Sequence, residues 1–121
     1  MRVLRFKIKY KDAIASGRKK ATLRMESDLK PGDLVTIEIG RERLGEALVK
    51  CVEEVRVDDL SDELAREDGF ESLRELLIEL KSIYGDKALR SGTKFKLIRL
   101  ELRGGKGELS ELRPTSSSEG G

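Results

Sequence analysis

Gly17-Arg18-Lys19-Lys20-Ala21-Thr22-Leu23-Arg24 is the stretch on which the reading of this chain turns. Residues 11–16 carry the pattern of a short helix around Ala13 and Ile14, and Gly17 ends it, because glycine accepts the left-handed conformation of a helix stop. Beyond it the period changes to two. Ala21, Leu23 and Met25 are expected to face inward while Lys20, Thr22 and Arg24 face outward. A glycine turn thus delivers a strand that presents an amine, a hydroxyl and a guanidinium close together. Arg24 can hold a phosphate or carboxylate in a two-pronged fork. Two adjacent lysines discourage each other's protonation, and burial lowers a lysine pKa further, as an amine base requires. Thr22 is a weak nucleophile unless such a base lies within reach. The plain alternative is two solvated lysines, a good strand-former and an arginine paired with an acid.

On the N-terminal side, Leu4, Phe6, Ile8 and Tyr10 alternate with Arg5, Lys7 and Lys9, the pattern of a half-buried strand with one basic face. On the C-terminal side, Lys30-Pro31-Gly32-Asp33 reads as a tight turn into a strand at residues 34–39. Residues 40–43 make a further turn, and residues 45–57 a long Val-rich strand. Ser61 caps a short helix that runs to Glu67 and is broken by Gly69; Ser72 and Glu75 form a capping box for a second helix. Leu73, Leu76, Leu77, Leu80 and Ile83 give that helix one apolar face. Residues 85–92 form a loop, and residues 95–102 a last strand. From Gly104 the chain is rich in Gly and Ser, so we divide it into a domain at 1–103 and a disordered tail at 104–121. The two helices do not read as a helix-turn-helix, since Glu75 and Glu79 are expected on the exposed side of the second. Gly104-Gly105-Lys106-Gly107 does not read as a phosphate loop, since no helix is expected after it.

Composition removes several chemistries. The chain of 121 residues has no His and one Cys, which excludes Ser-His-Asp and Cys-His catalysis, His-liganded zinc, and disulfides within the chain. No metal or cofactor is expected, because only carboxylates remain as ligands and their spacing matches no known pattern. Nothing approaches the apolar run of about eighteen residues that a membrane span needs, and no disulfide-linked partner is expected; a cytoplasmic protein is. Charged residues reach 40%, with neither Asn nor Gln, a bias that fits a thermophilic source. The net charge of +2 hides a segregation: residues 1–24 hold nine Lys/Arg against one acid, and residues 53–80 hold three against eleven. The basic third suggests an anionic partner such as RNA or a nucleotide. Five aromatic residues in all argue against sequence-specific reading of a long single strand.

With these residues in view, the chain resembles the ASCH domain family, whose fold is related to the PUA domain. The family signature of Gly, Lys, an acidic or hydroxyl residue, and Arg is matched by Gly17, Lys19, Thr22 and Arg24. The turn at Lys30-Pro31-Gly32-Asp33, the long strand with its trailing Asp58-Asp59-Leu60, and Ala65-Arg66-Glu67-Asp68-Gly69-Phe70 are similar too. The resemblance covers residues 1–102 and implies a mixed α/β fold: a curved sheet or barrel of about five or six strands with flanking helices. It implies binding of RNA or a modified nucleoside or nucleotide in a basic cleft, with Arg18, Lys20 and Arg24 as ligand-binding cations. Thr22 stands where many members have Glu. That branch resembles amidohydrolases that remove the acyl group from N(4)-acetylcytidine, which implies catalytic roles for Lys19, Thr22 and either Glu67 or Asp68. A turn or bulge must bring Lys19 round to the side of Thr22, or Lys20 is the functional amine.

Overall fold

The computed structural model describes residues 2–105; most of the tail expected at 104–121 lies outside them. The elements are β1 (Arg2–Phe6), α1 (Lys11–Ala15), β2 (Ala21–Arg24), β3 (Leu34–Ile39), β4 (Glu42–Arg56), α2 (Asp62–Glu67), α3 (Leu73–Tyr84) and β5 (Lys94–Gly105). The five strands form one curled half-barrel sheet in the order β1-β3-β4-β5-β2, a PUA-like architecture of the expected α/β class. β1 runs parallel to β3, and every other pair is antiparallel. The long β4–β5 ladder shifts register between Gly45 and Ala47 and again between Val49 and Cys51. Such bulges bend a strand and increase its twist, which curls the sheet.

Two cores lie on opposite faces of that sheet. Leu97 and Ile98, adjacent on β5 and both almost fully buried, serve one core each, as the period of a strand requires. Ile98 packs with Phe6, Ile14, Val35, Ile37 and Val49 inside the curl. Leu97 packs with Ala21, Leu23, Leu76, Leu80 and Phe95 beneath the helices. Both helices start as the sequence reading expects. The Ser61 hydroxyl accepts from the Leu64 N–H at 3.1 Å, and the Ser72 hydroxyl from the Glu75 N–H at 3.3 Å. Each cap stabilises by about 1 kcal/mol. No helix among the described residues is long and apolar enough to cross a membrane.

Three expectations are corrected. The first strand stops at Phe6, and residues 8–10 form a turn of 3-10 helix with Ile8 70% exposed, because Tyr10 is drawn to α3 by a hydrogen bond. β5 extends to Gly105, three residues past its expected end, pairing there with Gly45. The face of β2 expected to point outward is covered instead: Thr22 is 5% exposed, because residues 6–10 and α3 close over that edge.

Candidate functional site

β2 hydrogen-bonds to β5 alone, which leaves its other edge facing β1 across the opening of the half-barrel. Arg24 spans the gap, its Nη2 donating to the Arg5 carbonyl at 3.0 Å. The cleft beside this bridge has a volume of about 200 Å³ and is roofed by α3.

Lys19 enters the cleft because it lies before the strand. Its N–H donates to the Ala13 carbonyl at 2.8 Å, while the Lys20 N–H donates to the Glu67 carbonyl at 2.7 Å. This non-strand link turns Lys19 inward and leaves Lys20 exposed. The Lys19 amine donates to the Ala21 carbonyl at 3.1 Å, to the Asp68 carbonyl at 3.0 Å and to the Asp68 carboxylate. It also lies 5.1 Å from the centre of the Tyr10 ring. Both members of the ion pair are nearly enclosed, at 5% and 6% side-chain exposure. Burial drives each toward its neutral form: it lowers the Lys19 pKa, and it raises Asp68 to about 6 against the pull of Lys19.

Asp68 is held at the C-terminal end of α2 by its N–H bond to Leu64, and the turn that follows depends on Gly69. Its φ is +92°, and a Cβ there would stand 3.0 Å from the Lys19 Cβ. Glycine is therefore needed for the backbone conformation and for the passage of the lysine stem. Gly69→Ala is expected to destabilise the fold by about 1–3 kcal/mol, measured by urea denaturation. A stability unchanged from wild type would contradict this reading of the turn.

The Thr22 hydroxyl accepts from Arg24 Nε at 3.2 Å. The guanidinium also lies 5.0 Å from the Phe6 ring centre, and burial lowers its pKa. Thr22 and Lys19 line the same cleft, but the lysine's three donors go to the two carbonyls and Asp68.

Of the sequence candidates, Lys19, Thr22, Arg24 and Asp68 converge in this cleft, and Glu67, Lys20 and Arg18 do not line it. Glu67 turns to the other surface, where Arg99 donates to both its oxygens at 2.8 and 3.1 Å and holds its pKa below the usual range. Lys20 borders a separate, mainly apolar cavity of about 160 Å³. Arg18 is exposed, and its N–H lies 3.4 Å from the Ser16 hydroxyl.

Glu79 corrects the expectation of an exposed acidic face on α3, for it is only 8% exposed and lines the cleft. Lys9 donates to it at 2.8 Å and Lys7 at 3.3 Å, and the Tyr10 hydroxyl donates as well. Burial pushes the Glu79 pKa up, but these three donors together hold it below the usual range. The same carboxylate, added to burial, keeps the Tyr10 phenol from ionising. A signal was present: Glu79 lies three residues after Leu76 and four before Ile83, within the apolar stripe. Among the described residues, no group of three or more His, Cys, Asp or Glu side chains is arranged to hold a metal ion.

No family model matches the chain, and no curated protein does either. Solved structures do. An ASCH domain from Lactobacillus crispatus JV V101 is similar with a TM-score of 0.67 and 15% identity, over 75% of this chain and 68% of that one. The hypothetical protein PH0355 is similar with a TM-score of 0.66 and 21% identity, over 84% of this chain and 97% of that one. An ASCH protein from Zymomonas mobilis gives 0.61 and 19%, over 82% and 65%. At these identities the likeness establishes the fold.

Proposed function

We propose, from the ASCH-domain fold, that this chain belongs to the ASCH family and receives the base of a single nucleoside, free or displayed by RNA, in the cleft between β2 and α3. One observation carries the proposal. Of the chain's five aromatic residues, Phe6, Tyr10, Phe70 and Tyr84 all line the cleft that holds Lys19, Thr22, Arg24 and Asp68. A composition poor in aromatics is thus concentrated at one place. Tyr10 and Phe70 meet edge to face at 6.0 Å, presenting perpendicular planes against which a base can lodge. The volume of about 200 Å³ is small beside the usual ligand pocket of about 300–1,000 Å³. A base fits, and the sugar stays outside the cleft. The basic N-terminal third supplies the field that attracts such a ligand.

Titration with cytidine and N(4)-acetylcytidine, followed by calorimetry, tests this. Phe70→Ala is expected to weaken binding about tenfold or more, the scale of a lost stacking contact. Absence of binding by either nucleoside, or equal binding in Phe70→Ala, would overturn it.

A second reading is hydrolysis of the acyl amide of N(4)-acetylcytidine, and the acidity of Asp68 favours it. A carboxylate with a pKa of about 6 is mostly ionised at neutral pH yet basic enough to take a proton from water. In this reading water attacks the acyl carbonyl carbon as Asp68 accepts its proton. The oxyanion forms beside the Lys19 cation, and Thr22 orients the amide. Asp68 then returns the proton to the departing amine, which releases cytidine and acetate.

A further inference from the structure

Each cation that lines the cleft has an acidic partner except one. Lys19 pairs with Asp68, Lys7 with Glu79, and Arg5 with Glu38 at 3.0 Å. Arg24 forms no salt bridge with a carboxylate among the described residues and feels only the more distant charge of Asp68, although its guanidinium is partly withdrawn from water. Its Nε and one Nη2 proton are placed on Thr22 and the Arg5 carbonyl. Three of the five donors of a guanidinium therefore have no acceptor within the described protein. An enclosed charge ordinarily carries a counter-ion, because desolvation without one is costly. The two bonds it does make fix the plane of the group, so the remaining donors form a rigid fork of the kind that fits two oxygens of a phosphate.

We propose that the missing counter-ion is the terminal phosphate of the ligand, so that the cleft takes a nucleoside monophosphate in preference to an uncharged nucleoside. The inference rests on the single-nucleoside reading of the cleft and specifies its substrate class. Arg24 stands where β2 faces β1, holding the Arg5 carbonyl at the edge of the cleft. In the proposed complex the base lodges among Phe6, Tyr10 and Phe70, and the sugar carries the phosphate to Arg24. A terminal monoester presents three free oxygens and two charges. An internal phosphodiester offers less charge and carries a second nucleotide past the opening.

Binding of cytidine, cytidine 5′-monophosphate, inorganic phosphate and a short cytidine oligoribonucleotide lacking a terminal phosphate is measured at low salt on the full chain. The monophosphate is expected to bind at least about tenfold more tightly than cytidine, and inorganic phosphate to compete with it alone. Arg24→Ala should reduce the ratio of the two affinities to about one. Arg24→Lys, which keeps the charge and loses the fork, should leave an intermediate ratio. The wild-type ratio decides the matter even if Arg24→Ala loosens the strand edge. Cytidine binding as tightly as its monophosphate, or the oligonucleotide binding more tightly than either, overturns the inference and leaves the nucleoside reading standing. Phosphate and the monophosphate binding through Arg24 with no contribution from the base does the reverse. Failure of every ligand to bind overturns both.

Discussion

Lys19→Met alone is expected to destabilise the protein by about 3–5 kcal/mol, and Asp68→Leu alone by a similar amount, whereas the double variant should recover more than half of the summed loss. The expectation follows from enclosure. Each side chain of this pair is exposed by 6% or less, so removal of one partner leaves the other as an uncompensated charge in a water-poor site. A domain of this size is held by about 5–15 kcal/mol in total, so either single variant should melt far below the wild type. Replacement of both by apolar side chains removes the desolvation penalty together with the attraction. The neighbours are suited to that exchange, because Phe6 and Tyr10 already lie against the amine at 5.5 and 5.1 Å. Urea denaturation of the four species measures the coupling. If the single losses simply add in the double variant, the two groups are independent and the account of the site as a buried ion pair fails.

Asp68→Asn is expected to lower the rate of cytidine release from N(4)-acetylcytidine by at least about a hundredfold, the scale of a lost general base. The wild-type rate should rise with pH, with a midpoint near the Asp68 value of about 6, and then level off. The sign follows from the role. A base works in its ionised form, so activity is lost as pH falls through that value, whereas an acid in the same position would give a falling profile. Asn keeps the size of the side chain and one acceptor oxygen but leaves the Lys19 charge unpaired, so rate and binding are compared at a temperature where the variant remains folded; there, binding of N(4)-acetylcytidine should be retained while turnover is not. Glu67→Gln supplies the contrast, because Glu67 is engaged with Arg99 on another surface and should leave the rate within about twofold of wild type. Rate loss in Glu67→Gln with none in Asp68→Asn would move the chemistry away from this cleft. Complete absence of release from acylated cytidine nucleosides and nucleotides would end the hydrolytic reading, with base recognition left to stand on its binding test.

Much of the local structure was legible because it depends on neighbours in the chain. Alternation over Leu34–Ile39, the hydroxyl caps at Ser61 and Ser72, and the stop at Gly17 each express a short-range requirement, and each lies where the sequence puts it. The alternation through Ile8 and Tyr10 misled for the converse reason. A period of two describes a face only while the strand continues, and a long-range bond from Tyr10 to Glu79 ends it at Phe6. Glu79 itself was read as solvated because its charge outweighed its place in the apolar stripe. Three donors from residues about 70 positions earlier make that burial tolerable, and nothing near Glu79 in the chain announces them.

The sequence by itself determined the elements, the α/β class and the short list of polar residues able to bind or react. Tertiary structure decided which of them share a site. It chose Lys19 over Lys20 and Asp68 over Glu67 as cleft residues, and it gathered four scattered aromatics around them. Adjacent residues differ by one rotation of the backbone, and the side of the sheet that becomes a cleft is settled by the closure of β2 toward β1 beneath α3. The contacts that close it join residues far apart in the chain, and no local period encodes them.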